Sequence, residues 1–306
     1  PLETDTQNVT APNQTVAQAP ESGAQTAPAA SSAPTVQFSP AGGQKLSVDT
    51  PLYHAVINTS GGVLESVVLK NYKETIAEGS KNIDLVSAQS LTKAPMGLIW
   101  NSQPTWAQGE WTVQGGDMGL ADGQTGAIQL LGAIGGVKVE RTLIFTGGTY
   151  EIKEEVKIIN TSPAQIQGNL AFSLSSGALT AESDKYNLTK IAYMAAGSLQ
   201  QEDSHKDLQL GVESSAPAQW GGIESNYFLL ALVPTSADMP VRAKLEDNVY
   251  RLTVADQMLL DPGITQLRTA SYYLGPKTTK ALAAMPKSLS ASINYGFFDI
   301  IAKPLN

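Results

Sequence analysis

The chain has 306 residues, a formal net charge of −8 and no cysteine, and 42% of its residues are hydrophobic against 16% charged. This balance supports a folded core, and the lack of cysteine excludes disulfides, thiolate nucleophiles and cysteine-bound metals. Because an acidic surface repels phosphates, nucleic acid is not an expected partner. The longest purely apolar run is Tyr227–Val233, far shorter than the roughly 20 residues of a transmembrane helix.

Residues 1–36 differ in composition from the rest of the chain. Pro, Ala, Thr, Gln and Ser fill 26 of the first 35 positions, and neither Lys nor Arg occurs before Lys45. A segment with so few large apolar side chains buries too little surface to offset the entropy of ordering it. We interpret residues 1–36 as a flexible tether, with a plain disordered tail as the alternative, and expect the domain to be residues 37–306.

Two neighbouring segments alternate apolar and polar residues, the pattern of half-buried strands. The Gly-rich stretch Thr146–Thr149 between them predicts a hairpin turn. The apolar faces consist of Val137, Val139, Leu143 and Phe145 in the first segment and of Tyr150, Ile152, Val156 and Ile158 in the second. The same alternation continues over residues 166–174. Residues 241–245 and 250–254 alternate as well, with Asp247-Asn248 as the predicted turn of another hairpin.

Helix signals occur near the end of the chain. Residues 278–285 are rich in Ala, Leu and Lys and are followed by Pro286, which would stop a helix. Residues 291–302 place apolar side chains at helical spacing. Many short strands followed by helices predict an all-β, mainly antiparallel fold of two packed sheets, with helices confined to the C-terminal end, residues 276–306.

No residue pattern indicates a catalytic, cofactor or metal site. His54 lies in a strand-like run, where we expect it to face solvent or a hydrogen-bond partner. His205 lies in a run of charged residues that we interpret as a solvated loop, with metal ligation as the alternative. Asp117 and Asp122 lie in a Gly-rich connection that is too poor in oxygen ligands for a calcium loop. We therefore expect a protein without cofactor that is not an enzyme.

An aromatic cluster follows in the sequence. Trp220 precedes Gly221 and Gly222, and Tyr227 and Phe228 come shortly afterwards. A glycine pair allows the backbone to approach another element closely. The alternative is that Trp220 and Phe228 simply anchor the core.

Several motifs, in this order along the chain, resemble those of the YidC membrane-protein insertases. The resemblance spans about residues 44–306. It rests on residues 58–65, residues 69–72, Trp220-Gly221-Gly222, residues 226–231 with Pro234, Tyr273-Leu274-Gly275-Pro276-Lys277 with Leu282, and residues 295–305.

The resemblance implies a β-supersandwich with short C-terminal helices on the periplasmic side of the bacterial inner membrane, leading toward a membrane helix that is absent from this chain. It implies a non-catalytic domain of an insertase and chaperone that acts on nascent membrane proteins, alone or with the Sec translocon. The region 150–196 matches by position the part of the family domain that is linked to the Sec accessory subunit SecF.

Two other functions are compatible with such a fold. One is a groove-binding module for a sugar-like or extended ligand. The other is a mutarotase-like enzyme, which would use His with a carboxylate as general acid and base. No motif brings His54 and His205 together, and fold alone does not determine function.

The C-terminal end carries the candidate coupling residues. Pro276 suits a helix start, and Leu282 would face the sandwich. Aromatic side chains favour the membrane interface, so we expect the last aromatic residues to lie where the chain meets the membrane. The hypothesis is a rigid coupling between domain and membrane, and the alternative is a helix that merely covers the sandwich edge. The candidates are Tyr273, Gly275, Pro276, Lys277, Leu282, Tyr295, Phe297 and Phe298.

Overall fold

The computed structural model describes residues 42–108, 111–180, 186–235 and 238–293. The chain divides into two units, residues 1–34 and residues 35–306, and every described residue belongs to the second. The tether predicted for residues 1–36 lies outside the described residues and stays a prediction.

The described strands form three sheets, and all strand pairs but one are antiparallel. The five-stranded sheet contains β1 (Lys45–Asp49), β2 (Tyr53–Asn58), β3 (Val63–Lys73), β4 (Asn82–Asp84) and β8 (Met118–Gly119), in the order β4-β3-β2-β1-β8. The six-stranded sheet contains β5 (Met96–Trp100), β6 (Gln103–Pro104), β12 (Ile166–Ser176), β15 (Val212–Glu213), β18 (Val241–Glu246) and β19 (Val249–Leu260), in the order β15-β18-β19-β12-β5-β6.

The nine-stranded sheet is the largest. It contains β7 (Thr112–Gln114), β9 (Thr125–Ile134), β10 (Val137–Thr146), β11 (Glu151–Asn160), β13 (Lys190–Ala195), β14 (Ser198–Glu202), β16 (Ala218–Glu224), β17 (Phe228–Pro234) and β20 (Thr265–Pro276). Its order is β14-β13-β16-β17-β20-β11-β10-β9-β7. The α-helices are α1 (His205–Leu210) and α2 (Thr279–Leu282), and the 3-10 helices are Ser90–Lys93, Thr105–Gln108 and Lys287–Ser292.

The predicted all-β, mainly antiparallel class is confirmed, and so are both hairpins. Strands β10 and β11 pair with Phe145 opposite Ile152. Strands β18 and β19 are joined by Asp247 and Asn248, whose φ angles are 53° and 61°. Two consecutive positive φ angles are typical of the type I′ turn, whose twist matches that of the flanking strands.

Three details of the prediction were wrong. The strands hydrogen-bond as three sheets rather than two. Helices also occur before the C-terminal end, because α1 forms in the segment that we expected to be a solvated loop. The Ser204 side chain caps this helix by accepting a hydrogen bond from the Asp207 N–H, and Leu208 is its buried residue. One cap and one buried side chain stabilise a six-residue helix that sequence periodicity does not reveal.

The third detail is the start of the C-terminal helix. Pro276 is the last residue of β20, where it lies opposite Phe228. Helix α2 begins three residues later, after Thr278, whose side chain accepts a hydrogen bond from the Ala281 N–H. Pro276 therefore ends a strand instead of starting a helix. Of the predicted helix over residues 291–302, residues 294–302 lie outside the described residues.

A buried ion pair joins the three sheets. Arg141 on β10 and Glu154 on β11 have side chains that are 1% and 0% exposed, and Arg141 Nε donates to Glu154 Oε1 at 2.6 Å. Arg141 Nη1 donates to the Gly62 carbonyl, between β2 and β3, and Nη2 to the Met96 carbonyl at the start of β5. The guanidinium lies 5.9 Å from the ring centre of Trp111. One side chain thus binds a carboxylate in its own sheet and a backbone carbonyl in or beside each of the other two sheets.

Candidate functional site

The end of β20 is fixed tightly to its neighbours. The buried Tyr273 hydroxyl donates a hydrogen bond of 2.6 Å to the Pro276 carbonyl three residues later. A Cβ atom on Gly275 would lie 2.7 Å from the Tyr150 ring, so this close approach requires glycine. The end of β20 is thus held by the hydrogen bond from its own Tyr273 and by contact with Tyr150, the residue before β11.

Lys277 belongs to a buried charge network beneath this segment. Its side chain is 3% exposed, and Nζ donates to Glu224 Oε2 at 3.0 Å and to the Ser225 carbonyl at 3.1 Å. Lys190 lies 3.7 Å from the same carboxylate, which also accepts a hydrogen bond from Gln201. Burial lowers the pKa of Lys277, and Glu224 opposes that change. Removing the carboxylate would leave a buried lysine without its counter-charge.

The segment after β20 is anchored by apolar side chains. Leu282 is 3% exposed, Met285 6% and Leu289 0%, and all three belong to the main core. The placement fits the expectation that Leu282 faces the sandwich. It is compatible both with a rigid coupling and with a helix that covers the edge, so the role of this segment stays a prediction. Tyr295, Phe297 and Phe298 lie outside the described residues.

The glycine pair after Trp220 allows close packing on β16. Trp220 is fully buried. A Cβ atom on Gly221 would lie 2.9 Å from Val241 of the six-stranded sheet, and one on Gly222 would lie 2.8 Å from the Leu230 carbonyl. The close approach expected from the sequence therefore occurs, and Trp220 is also a core residue.

A cluster of aromatic rings lies between the ends of β3, β11, β17 and β20. Tyr72 meets Phe228 edge-on at 5.7 Å, and Tyr150 contacts Tyr273 at 6.1 Å and Tyr53 at 6.4 Å between ring centres. Burial raises the pKa of Tyr150 to about 12, with a further contribution from Tyr72. Burial also raises the pKa of Tyr53 and of Tyr273. These tyrosines stay neutral at physiological pH and act as packing groups.

Two clefts adjoin the aromatic cluster. One has a volume of about 700 Å³ and the other about 630 Å³, and Tyr72 and Thr278 border both. The larger cleft is lined by β4, the end of β3, the chain after β12, the turn between β16 and β17 and the end of β20. Tyr227, one of the aromatic residues singled out in the sequence, lies on its rim and is 66% exposed. We refer to the larger cleft, of about 700 Å³, as the β4 cleft.

The two histidines lie on different elements. His54 on β2 has Nδ1 3.3 Å from Asp49 Oδ1, whereas Nε2 of His205 lies 2.9 Å from the Tyr250 hydroxyl. Asp117 accepts a hydrogen bond from the Ser47 N–H. Among the residues that the structure describes, no three His, Asp or Glu side chains form a group that could hold a metal ion.

Sequence reasoning missed the Arg141–Glu154 pair, although the signal was present. Position 141 interrupts the apolar face of the first alternating segment, and position 154 interrupts that of the second. Both positions point inward and carry opposite charges. Opposite charges at inward positions of neighbouring strands predict a buried pair, because an isolated buried charge is too costly.

The family model described as the YidC periplasmic domain matches residues 45–306. The chain belongs to the YidC periplasmic domain family. The membrane protein insertase YidC of Maridesulfovibrio salexigens is 41% identical over 264 residues, which are 86% of this chain and 49% of that protein. The one of Oleidesulfovibrio alaskensis is 40% identical over 303 residues, 98% of this chain and 55% of that protein. The chain spans about half the length of these curated relatives.

Solved structures show where else the fold of this YidC periplasmic domain occurs. A galactose mutarotase-like protein from Lactobacillus casei has a TM-score of 0.54 at 9% identity, covering 76% of this chain and 100% of that one. A galactose mutarotase related enzyme from Lactobacillus acidophilus has a TM-score of 0.51 at 9% identity, covering 76% and 97%. The likeness establishes the sandwich fold. In the described part of the chain, no helix has the length and apolar character that crossing a membrane requires.

The buried tyrosines predict a loss of stability in alkali. A tyrosine whose pKa is raised by folding contributes stability that is fully present below pH 10, and this stability is lost as the pH rises towards the folded pKa. Tyr150, whose folded pKa is about 12, should lower the free energy of unfolding by up to about 1.4 kcal/mol per pH unit between these values. Urea unfolding at a series of pH values measures the slope, which Tyr150→Phe should reduce.

Tyr227→Phe is the matched control, because the Tyr227 ring is 66% exposed in the folded protein. It should leave the slope as it is in the unaltered chain. Equal slopes for Tyr150→Phe and Tyr227→Phe would contradict the assignment.

Proposed function

We propose that this chain is the non-catalytic periplasmic domain of an inner-membrane protein insertase and supports the insertion of nascent membrane proteins. The observation that carries the proposal is the family match over residues 45–306, together with relatives of about 40% identity that are named membrane protein insertases. Since this chain spans only about half of those relatives, insertion is assigned to the whole protein. The domain contributes position and contacts on the periplasmic side.

Rigid coupling through the C-terminal segment is the role proposed for the end of β20. Tyr273, Lys277 and Leu282 are all buried, so the backbone that leaves the sandwich has one fixed direction. A fixed direction transmits the orientation of the domain to whatever follows, whereas a loose linker would not. The expected interfacial residues Phe297 and Phe298 follow in the sequence, beyond Leu289, the last of the anchoring apolar residues.

Catalysis of the mutarotase type is not favoured. General acid–base chemistry needs a histidine and a carboxylate converging on one substrate position. His54 does lie beside the carboxylate of Asp49, but the two side chains are 43% and 54% exposed and neither lines either of the two clefts. His205 lies beside the Tyr250 hydroxyl and lines neither cleft. Likeness at 9% identity to mutarotase-like proteins supports a shared fold and no shared chemistry.

The coupling role predicts a defect that is separable from folding. Replacing Phe297 and Phe298 with Ser in the full-length protein should impair membrane-protein insertion in cells depleted of their own insertase, because the aromatic anchors would be lost. The purified domain with the same changes should keep its melting temperature. Leu259→Ser is the control, since Leu259 is an exposed apolar residue elsewhere. Normal insertion, or a fall in stability as large as the fall in activity, would argue against the coupling.

We further propose that the region 150–196 binds the Sec accessory subunit SecF through its exposed side chains. Exposed and buried residues alternate along β11, and Lys153 and Lys157 are among the exposed ones. Charge reversal of both to Glu should reduce co-purification of SecF with the full-length protein, because complementary rim charges set partner choice. Lys81→Glu, an exposed change outside this region, is the control. Undiminished co-purification would exclude this surface.

A further inference from the structure

A pocket of about 410 Å³ lies on the six-stranded sheet, on the face that is turned away from the main core. Leu252 and Val254 of β19 belong to that core, whereas Arg251 and Thr253, which alternate with them along the strand, line the pocket. We call it the β18 pocket, because three consecutive residues of β18 line it as well. Its volume is that of a site for one small molecule.

Three positively charged side chains line the β18 pocket, against one carboxylate. Arg242 is paired with that carboxylate, Glu213, through two nitrogens at 3.1 and 3.2 Å. Lys244 and Arg251 both bind Glu246, which lies outside the lining, at 2.8 Å each. One carboxylate is therefore shared by two cations, so the pocket has a surplus of positive charge in a chain whose net charge is −8.

The placement of two of these cations costs stability unless an anion offsets it. Lys244 and Arg251 lie directly opposite each other on β18 and β19, and like charges in opposite positions destabilise a pair of strands. Glu246 is also 3.8 Å from Lys93, which in turn lies 3.4 Å from Asp247. With the pair described above included, this group contains four cations and three carboxylates. A bound anion would supply the missing counter-charge.

Apolar side chains form another part of the lining. Leu210, at the end of α1, is 77% exposed, and Ile99 and Val212 line the pocket with it. The backbone at Leu210 is fixed, because the Gly211 N–H donates to the Asp207 carbonyl at 2.9 Å and β15, which follows, pairs with β18. Apolar groups that bind the body of a ligand, beside a few charged groups that orient it, are typical of small-molecule sites.

From these observations we propose that the β18 pocket binds a single molecule of an anionic amphiphile. Its oxyanion head, such as a phosphate, accepts charge-assisted hydrogen bonds from Lys244 and Arg251. Its apolar chain packs on Leu210 and Ile99. An anionic bilayer surface is not the expected occupant, because a chain with a net charge of −8 is repelled by anionic headgroups. This binding goes beyond the proposed coupling role and does not depend on it.

The test is isothermal titration calorimetry of the purified 306-residue chain with three probes, below the concentrations at which they form micelles. Octyl phosphate has the charged head and the chain, octyl glucoside has the same chain with an uncharged head, and inorganic phosphate has no chain. Octyl phosphate should bind saturably, at least about ten-fold more tightly than either of the others, because each of those lacks one set of contacts.

Three results would overturn the proposal. Equal affinities for octyl phosphate and octyl glucoside would show that the cations do not contribute, and equal affinities for octyl phosphate and inorganic phosphate would show the same of the apolar lining. The third is an absence of saturable binding of octyl phosphate, including the case in which the chain binds only to vesicles of phosphatidylglycerol. Since the titration contains no membrane and measures no insertion, its result is separate from that of the coupling experiment.

Variants of the chain locate the binding. Lys244→Gln/Arg251→Gln should weaken the binding of octyl phosphate by about ten-fold or more and leave that of octyl glucoside unchanged. Leu210→Ser should weaken the binding of both octyl compounds. Lys81→Gln and Leu259→Ser are the matched controls, since both residues are exposed and lie outside the pocket. Binding of octyl phosphate by the double variant as tight as by the controls would overturn the assignment.

The melting temperature shows whether a variant is folded. It should stay unchanged, because the Lys244 and Arg251 side chains are 46% and 24% exposed and Leu210 is more exposed still. Should the double variant melt at a lower temperature, Lys244→Gln alone makes the same comparison at the more exposed of the two cations. Binding of octyl phosphate by this folded single variant as tight as by Lys81→Gln would likewise overturn the assignment.

Discussion

One buried guanidinium constrains the relative placement of the three sheets. Arg141 contacts Glu154 in its own sheet, the Gly62 carbonyl in the turn between β2 and β3 of the five-stranded sheet, and the Met96 carbonyl in the six-stranded sheet. A buried charge is tolerated only where paired groups satisfy its hydrogen bonds. The three sheets must therefore bring these acceptors to one point, whereas apolar contacts alone would allow them to slide. Arg fits this role because its planar fork donates in several directions.

The ion pair also constrains the position of the candidate site, because β11 carries Glu154 and pairs with β20. Glu154 lies opposite Ala270 on β20, and the same strand continues to Tyr273 and Pro276. At that end, Tyr150 packs against Gly275 without space for a side chain. The C-terminal segment therefore leaves from β20, the strand that pairs with β11 beside Glu154, and the β4 cleft ends on the same strand. Core packing, the anchored segment and the cleft form one continuous arrangement.

Local patterns were predictable from the sequence, and contacts between distant segments were not. The hairpin of β10 and β11 follows from alternation on both sides of a glycine turn, and the turn at Asp247 follows from residue types that tolerate positive φ. The two backbone carbonyls that Arg141 binds lie 79 and 45 residues away in the sequence, so no local pattern reveals them. The β4 cleft is likewise lined by segments from across the chain. Helix α1 depends on a single cap, which is too weak a signal beside the charged residues around it.

The most direct measurement is a double-mutant cycle on the ion pair, read by equilibrium unfolding in urea. Arg141→Met and Glu154→Leu alone should each destabilise the domain by about 3–5 kcal/mol, because each leaves a buried charge unpaired. The double variant should lose clearly less than the sum of the two, since no buried charge then remains. Additive losses, or an Arg141→Met variant as stable as the unaltered chain, would contradict the view that this pair holds the three sheets together.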